Sequence, residues 1–223
     1  MNEWFIWSSL LLVFWLSIFL FAKRIRKEML WASIFTFPFG FTEPLFVPEY
    51  WNPPSLFNLA ARTGFDIESF IFAFAIGGIA VVLYELFFRG KHKKIPKNFE
   101  KKHKLHKLAL LSPFITFLVL ELFTNLNPIY SAIIALFVGG VAAILCRLDL
   151  KNKALFGGLL FLVFYFLFFL ILNLISPGWV LEVWNLDAIS GILFLGIPIE
   201  ELVFAFALGI MWSGVYEHAK EYT

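Results

Sequence analysis

The sequence predicts an all-α, polytopic membrane bundle of seven transmembrane helices, and three observations support this class. Of the 223 residues, 61% are hydrophobic and only 15% are charged, whereas soluble globular proteins carry about 25% charged residues. One stretch of the chain occurs twice, which indicates an internal repeat. Basic residues are concentrated directly after apolar segments, as in the cytoplasmic loops of membrane proteins.

The repeat is seen when Glu68 to Glu85 is aligned with Glu200 to Glu217, because eight of these 18 positions are identical. Three-span units can repeat in the same orientation only if an extra span separates them. The sequence therefore predicts a parallel 3+1+3 arrangement within a single membrane domain, residues 1–223. Its parts are repeat one (about 3–88), a linking span (about 108–124) and repeat two (about 129–220).

Seven apolar segments are each long enough to cross about 30 Å of hydrocarbon. They cover residues 3–22, 29–47, 66–88, 108–123, 129–146, 154–175 and 198–216. The second is interrupted by Pro38, Gly40 and Pro44. Because broken helices are tolerated where they line a cavity, Glu43 inside this break is a candidate site residue. Short interfacial helices are predicted over 55–62 and, from the repeat, over 188–196.

The charge distribution sets the expected orientation. All 18 lysines and arginines except Arg62 lie in four clusters that follow apolar segments, and such clusters favour the cytoplasmic side. We therefore expect a multi-pass protein of the cell membrane with its N-terminus outside and its C-terminus in the cytoplasm. The basic run from Lys91 to Lys107 is predicted to be a loop touching the lipid bilayer, not a nucleic-acid-binding arm, because it lies between two spans.

Acidic side chains gather on the predicted outer side. They are Glu43, Glu49, Asp66, Glu68, Glu121, Glu182, Asp187, Glu200 and Glu201. So many like charges cannot all be ionised in a low dielectric, so some are expected to stay protonated. A protonated carboxylic acid in an apolar cavity is what a general acid acting on an alkene needs. The alternative for Glu200 and Glu201 is a simple helix start, since Pro198 and acids both suit a first turn.

The motif Pro198-Ile199-Glu200-Glu201, following Trp184-Asn185 and leading an apolar span, resembles that of the integral-membrane, non-flavin lycopene cyclases. In that family, Pro-x-Glu-Glu-x-x-Phe leads a transmembrane helix in each of two homologous three-helix halves. The first half of this chain departs from the pattern, because it reads Asp66-Ile67-Glu68-Ser69.

The resemblance implies an isomerase that closes a β-type ring at the end of a linear carotenoid such as lycopene, by redox-neutral acid and base catalysis. It assigns Glu200 and Glu201 as acid and base in either order, with Glu68 and Asp66 as their counterparts. Phe72, Phe204 and Trp184 are the expected substrate-binding faces for a carbocation, together with Glu43. No cofactor and no metal are expected, because no glycine-rich nucleotide motif is present and Cys146 is the single cysteine.

Two other functions stay open. A small membrane transporter would also use repeats and broken helices, although its acids would be expected near the middle of the spans. A non-catalytic or other isoprenoid-binding relative of the cyclases would explain the altered first motif. A retinal-binding protein is disfavoured, because no lysine lies within the seventh span. Whether the chain forms a homo-oligomer is left open.

Overall fold

The computed structural model describes residues 2–88 and 106–220, and this part of the chain is nearly all α-helical. The α-helices are α1 (Glu3–Phe21), α2 (Arg26–Thr36), α3 (Glu43–Phe46), α4 (Leu59–Thr63), α5 (Ile67–Phe88), α6 (His106–Phe123), α7 (Pro128–Cys146), α8 (Lys151–Ile175), α9 (Trp179–Val183), α10 (Ile199–Trp212) and α11 (Val215–Lys220). Short 3₁₀ helices cover Lys23–Ile25, Phe37–Thr42, Leu56–Asn58, Leu148–Leu150 and Leu186–Ala188. Two short strands, β1 (Leu193–Phe194) and β2 (Ile197–Pro198), precede α10.

Six helical segments among the described residues are long and apolar enough to cross a membrane. They are Glu3–Phe21, Ile67–Phe88, His106–Phe123, Pro128–Cys146, Leu148–Ile175 and Ile199–Lys220. The nearly all-α class is thereby confirmed, whereas the seven-helix 3+1+3 repeat stays a prediction. The basic run predicted to touch lipid lies, except for His106 and Lys107, outside the described residues.

The second predicted span is broken where its prolines and glycine predict. Helix α2 ends at Thr36, a 3₁₀ segment follows over Phe37–Thr42, and α3 holds only Glu43–Phe46. Proline lacks the amide donor and clashes with the preceding turn, so regular α-helix cannot run through this segment. None of its pieces is long enough to be counted among the six candidate spans.

The predicted helix over 188–196 is wrong. The segment instead forms a hairpin in which Leu193 pairs with Pro198 and Phe194 with Ile197 in antiparallel register. The turn between the strands places Leu195 at φ 51° and Gly196 at φ 78°, a left-handed conformation that a helix cannot contain. The amide of Ile199 donates to the carbonyl of Ile192 at 3.0 Å. The hairpin therefore fixes the first residue of α10.

The described residues fall into two compact units. Unit one comprises residues 2–79 and 166–199, and unit two comprises residues 80–88, 106–165 and 200–220. The single membrane domain expected from the sequence stays a prediction.

In unit one, the loop that contains Trp51 and the loop that contains Trp184 lie side by side. Trp51 and Trp184 form an antiparallel bridge. The amide of Asn52 donates to the Val183 carbonyl at 2.8 Å, and the amide of Asn185 donates to the Tyr50 carbonyl at 2.9 Å. These backbone groups of the two loops are thus satisfied by each other, so the loops form one hydrogen-bonded pair within unit one.

In unit two, α8 and α10 meet through glycines. A Cβ atom on Gly209 would lie 2.7 Å from the Cα of Gly158 and 2.8 Å from the carbonyl oxygen of Gly157. Backbone atoms cannot move aside as a flexible side chain can, so only glycine fits at this crossing. Small residues at helix contacts are a common means of close packing in membranes.

We expect Gly209→Ala to destabilise the protein by about 1–3 kcal/mol, the usual cost of forcing an extra carbon into a packed contact. The matched control is Gly214→Ala, because the nearest atoms to a Cβ at Gly214 lie at 3.7 Å, an ordinary van der Waals distance. Thermal unfolding midpoints in detergent would compare the two variants. Equal midpoints for both would contradict the crossing described here.

A second feature of unit two is a buried ionic cluster. The ammonium of Lys153 contacts the carboxylates of both Glu85 and Glu217, and all three side chains are at most 7% exposed. The sequence places Lys153 in a basic cluster expected at the cytoplasmic side, but does not indicate that its side chain is buried. Glu85 and Glu217 occupy equivalent positions in the two copies of the aligned stretch.

Candidate acid–base site

The two adjacent glutamates of the repeat motif lie in the first turn of α10. Glu200 is 2% exposed and Glu201 is 6% exposed, although α10 is otherwise apolar. The helix starts directly after β2, so the hairpin places both carboxylates near the helix N-terminus, where the helix dipole favours negative charge. Both residues therefore lie where the sequence predicts a site, and neither points to solvent.

Glu200 is bound by a tyrosine from another helix. The hydroxyl of Tyr130 donates a hydrogen bond to Oε1 of Glu200 at 2.8 Å. Tyr130 lies in the first turn of α7, which begins at Pro128 and is capped by Asn127, whose Oδ1 accepts from the amide of Ile129 at 3.2 Å. Proline suits the first helical position and asparagine the cap, so this local sequence fixes where Tyr130 stands.

Glu201 has an equivalent partner on a different helix. The hydroxyl of Tyr165, which is 3% exposed, donates to Oε2 of Glu201 at 2.9 Å. Adjacent helical residues project about 100° apart, so neighbouring carboxylates contact different helices. Each glutamate thus has its own phenol, which orients the carboxyl group.

Sequence reasoning missed both tyrosines. Tyr130 and Glu200 are 70 residues apart in the chain, and Tyr165 and Glu201 are 36 apart. A signal was present in Tyr165, because a phenol inside a long apolar helix needs a hydrogen-bond partner when it is buried. Its partner cannot be named from the sequence alone, since that requires knowing which helices meet.

The other predicted acids come together in unit one. Glu68 is fully buried, at 0% exposure, and its Oε1 accepts from the amide of Leu56 at 2.6 Å. Asp66 precedes α5, and its Oδ1 accepts from the amide of Ser69 at 2.6 Å. This is the geometry of a helix N-cap, so Asp66 has a clear structural role in starting α5.

Glu43 joins this group from the broken segment. Its side chain lies beside that of Ser69, and Asp66 and Glu68 are near enough to repel it electrostatically. Within the described residues, Oε1 of Glu43, Oδ2 of Asp66 and Oε2 of Glu68 are buried and have no hydrogen-bond partner. An unpaired buried oxygen carries a desolvation cost, and three such oxygens lie in this one group.

The predicted aromatic residues Trp184 and Phe72 also belong to unit one, where Trp4 and Trp51 connect them. The ring centroids of Trp51 and Trp184 are 5.3 Å apart, those of Trp4 and Trp51 are 4.6 Å apart, and those of Trp4 and Phe72 are 5.6 Å apart. Such offset and edge-to-face contacts stabilise a packed aromatic layer. The remaining predicted residue, Phe204, is half-buried on α10, one turn after Glu200.

The structure therefore divides the predicted site residues into two sets. Unit one holds Glu43, Asp66, Glu68, Phe72 and Trp184. Unit two holds Glu200, Glu201 and Phe204, to which it adds Tyr130 and Tyr165. Buried carboxyl groups beside hydroxyl donors are suited to giving and taking protons where water is scarce.

The apolar helices and the buried carboxylates define an all-helical membrane protein with groups suited to acid and base catalysis. Residues 127–219 match the family model described as lycopene cyclase, so this part of the chain is similar to that family. The matched segment contains Glu200, Glu201, Tyr130 and Tyr165. Searches of curated proteins and of solved structures each gave no match.

Proposed function

We propose that this protein closes a ring at the end of a linear carotenoid such as lycopene by redox-neutral acid and base catalysis. The observation that carries the proposal is the pair of buried carboxylates Glu200 and Glu201, each held by a tyrosine, inside the segment that matches the lycopene cyclase family. The reaction class is an intramolecular cyclisation, that is, an isomerisation, and the product proposed is a β-type ring.

In the proposed mechanism, one of the two glutamates is protonated and transfers its proton to the terminal double bond of the substrate. The tertiary carbocation that results is attacked by the next double bond, which forms the carbon–carbon bond of the ring. The other glutamate, as a carboxylate, removes a proton from the cyclic cation. One proton is gained and one is lost, so substrate and product are isomers and no electron acceptor is needed.

The proposed reaction needs two carboxyl groups at the same time, one protonated to act as the acid and one ionised to act as the base. Two carboxyl groups close in sequence and buried in low dielectric do not both ionise readily, which favours one protonated and one charged member. Tyr130 donates to Glu200 and Tyr165 donates to Glu201. Each carboxyl group therefore has a hydrogen-bond donor at whichever step of the reaction it is ionised. Water would trap the carbocation, and burial of both glutamates limits its access.

The residues of unit one have parallel roles in the proposal. Glu68 is the counterpart of Glu200 at the second position of its helix, and Asp66 contributes charge next to it while capping α5. Glu43 and the aromatic faces of Phe72 and Trp184 are proposed to contact substrate, as is Phe204 in unit two. Aromatic faces attract cations by their quadrupole, and this suits the carbocation intermediate.

We also propose that the chain lies in the cell membrane with its N-terminus outside and its C-terminus in the cytoplasm. The broken segment predicted as the second span, residues 29–47, would be the remaining crossing and would complete the 3+1+3 repeat. What supports this is the position of the basic clusters in the sequence.

The test is expression of the chain in a bacterium that accumulates lycopene, followed by chromatography and absorption spectra of the extracted pigments. We expect γ- or β-carotene in place of lycopene. Unchanged lycopene, with the protein shown to be present in the membrane, would contradict the proposal. It would instead favour a non-catalytic or other isoprenoid-binding relative, or a transporter.

We expect Tyr165→Phe and Tyr130→Phe each to lower the rate of ring closure by about tenfold to a hundredfold. A hydrogen bond to a charged group contributes about 1.5–3 kcal/mol, and each 1.4 kcal/mol is about a factor of ten in rate. The matched control is Tyr84→Phe. The ring of Tyr84 stacks on that of Phe88, and Tyr84 is not one of the two tyrosines that donate to Glu200 and Glu201. Initial rates in membranes containing equal amounts of protein would be compared. Full activity in both test variants would show that the phenols do not act on the carboxyl groups.

A further inference from the structure

Three potential metal ligands that are far apart in the chain meet in unit two. His106 lies at the start of α6, Cys146 is the last residue of α7, and His218 lies on α11. One ligand atom from each side chain lies within 4.8 Å of the other two. The rings of His106 and His218 are edge to face, with centroids 5.5 Å apart.

The closest pair has the separation expected of two ligands on one ion. Nδ1 of His106 and Sγ of Cys146 are 3.4 Å apart. A tetrahedral zinc ion with usual Zn–N and Zn–S bond lengths holds such atoms about 3.6 Å apart. The third ligand atom lies within 4.8 Å of the other two, so it needs to approach by about 1 Å to complete the same geometry.

The surroundings of His218 also fit a ligand. This side chain is 4% exposed, its Nε2 lies 3.1 Å from the carbonyl oxygen of Ala143, and its Nδ1 lies 3.0 Å from that of Gly214. A neutral imidazole has a single N–H, so only one of these carbonyls can accept a hydrogen bond. Metal-bound histidines commonly donate their N–H to a backbone carbonyl while the other nitrogen binds the ion, so metal binding here requires the nitrogen beside the second carbonyl to turn toward the ion.

From these observations we propose that His106, Cys146 and His218 form a zinc site that ties together the ends of α6, α7 and α11. A thiolate with two imidazoles is a donor set suited to zinc, and three protein ligands leave a fourth position for water. The site contains none of the proposed acid and base residues. It is therefore independent of the proposed ring closure, and its expected effect is on stability.

Cobalt titration of the purified full-length protein in detergent, under reducing conditions, tests the proposal. Cys146 is the only cysteine, so a thiolate-to-cobalt charge-transfer band can come from this residue alone. We expect the band to appear at one cobalt per chain and to be displaced by zinc. Cys146→Ser should abolish it, and His106→Gln and His218→Gln should each weaken binding about tenfold or more. Asp187→Asn is the control, because it removes an exposed carboxylate in unit one, outside the proposed site, and should leave the band unchanged.

A second measurement avoids reliance on the variants folding. In the unaltered protein, zinc should slow alkylation of Cys146 by a maleimide, and a chelator should restore the rate. Absence of the cobalt band together with equal alkylation rates with and without zinc would overturn the proposal. A band that persists at full strength in both folded histidine variants would also overturn it, because cobalt would then be bound adventitiously to the thiolate.

Discussion

Glu200→Gln and Glu201→Gln should each reduce ring closure by about a hundredfold to ten-thousandfold, the usual contribution of a positioned general acid or base. Glutamine keeps the size of the side chain and accepts the hydrogen bond from Tyr130 or Tyr165, but it neither gives nor takes a proton in the reaction. The defect is therefore expected in the chemical step while the fold is kept. Pigment analysis over time in the lycopene-accumulating strain measures it.

The matched control for these variants is Glu182→Gln. Glu182 is one of the acids that the sequence places on the outer side of the membrane, but its side chain is exposed on the short helix α9. It should keep full activity. If Glu200→Gln and Glu201→Gln also convert lycopene at the full rate, the acid and base are misplaced even though the proposed reaction is right.

Lys153→Met should cause the largest loss of stability among single substitutions in unit two. Removing the lysine leaves Glu85 and Glu217 buried without the ammonium that both contact, and breaking a buried ion pair on one side costs about 3–5 kcal/mol. The thermal unfolding midpoint and the yield of folded protein in detergent should both fall.

Two further variants test whether the loss of stability in Lys153→Met comes from the unpaired glutamate charges or from the loss of a lysine side chain as such. Lys151→Met removes an exposed lysine two residues away and should have little effect. Combining Lys153→Met with Glu85→Gln and Glu217→Gln should recover much of the stability, because neutral side chains cost less to bury than unpaired charges. A midpoint for Lys153→Met equal to that of the unaltered protein would show that the cluster contributes nothing to stability.

Local features of the fold were predictable because their causes lie in neighbouring residues. Pro38, Gly40 and Pro44 interrupt the second apolar segment, and the structure is broken there. Pro198 followed by two acids is the pattern of a helix start, and α10 begins at Ile199. The hairpin before α10 is not predictable from the repeat, because the segment before α5 in the first copy is helical.

Contacts between distant residues were not predictable in the same way. The pairing of Tyr165 with Glu201 and the burial of Lys153 between two glutamates depend on which faces of the helices meet. In a chain where most faces are apolar, the hydrophobic pattern carries little information about helix orientation. The sequence could therefore name the acids of the candidate site, but not the groups that hold them.

The position of Glu43 beside Ser69 has a consequence for how related sequences are compared. Ser69 stands where the second copy has Glu201, so a column-by-column comparison records a lost carboxyl group in the first copy. In space, a carboxyl group is present at that position, supplied by a residue 26 positions earlier in the chain. Among relatives, a serine or other small residue at the second motif position should therefore be accompanied by an acid within the broken segment, and the two positions should change together.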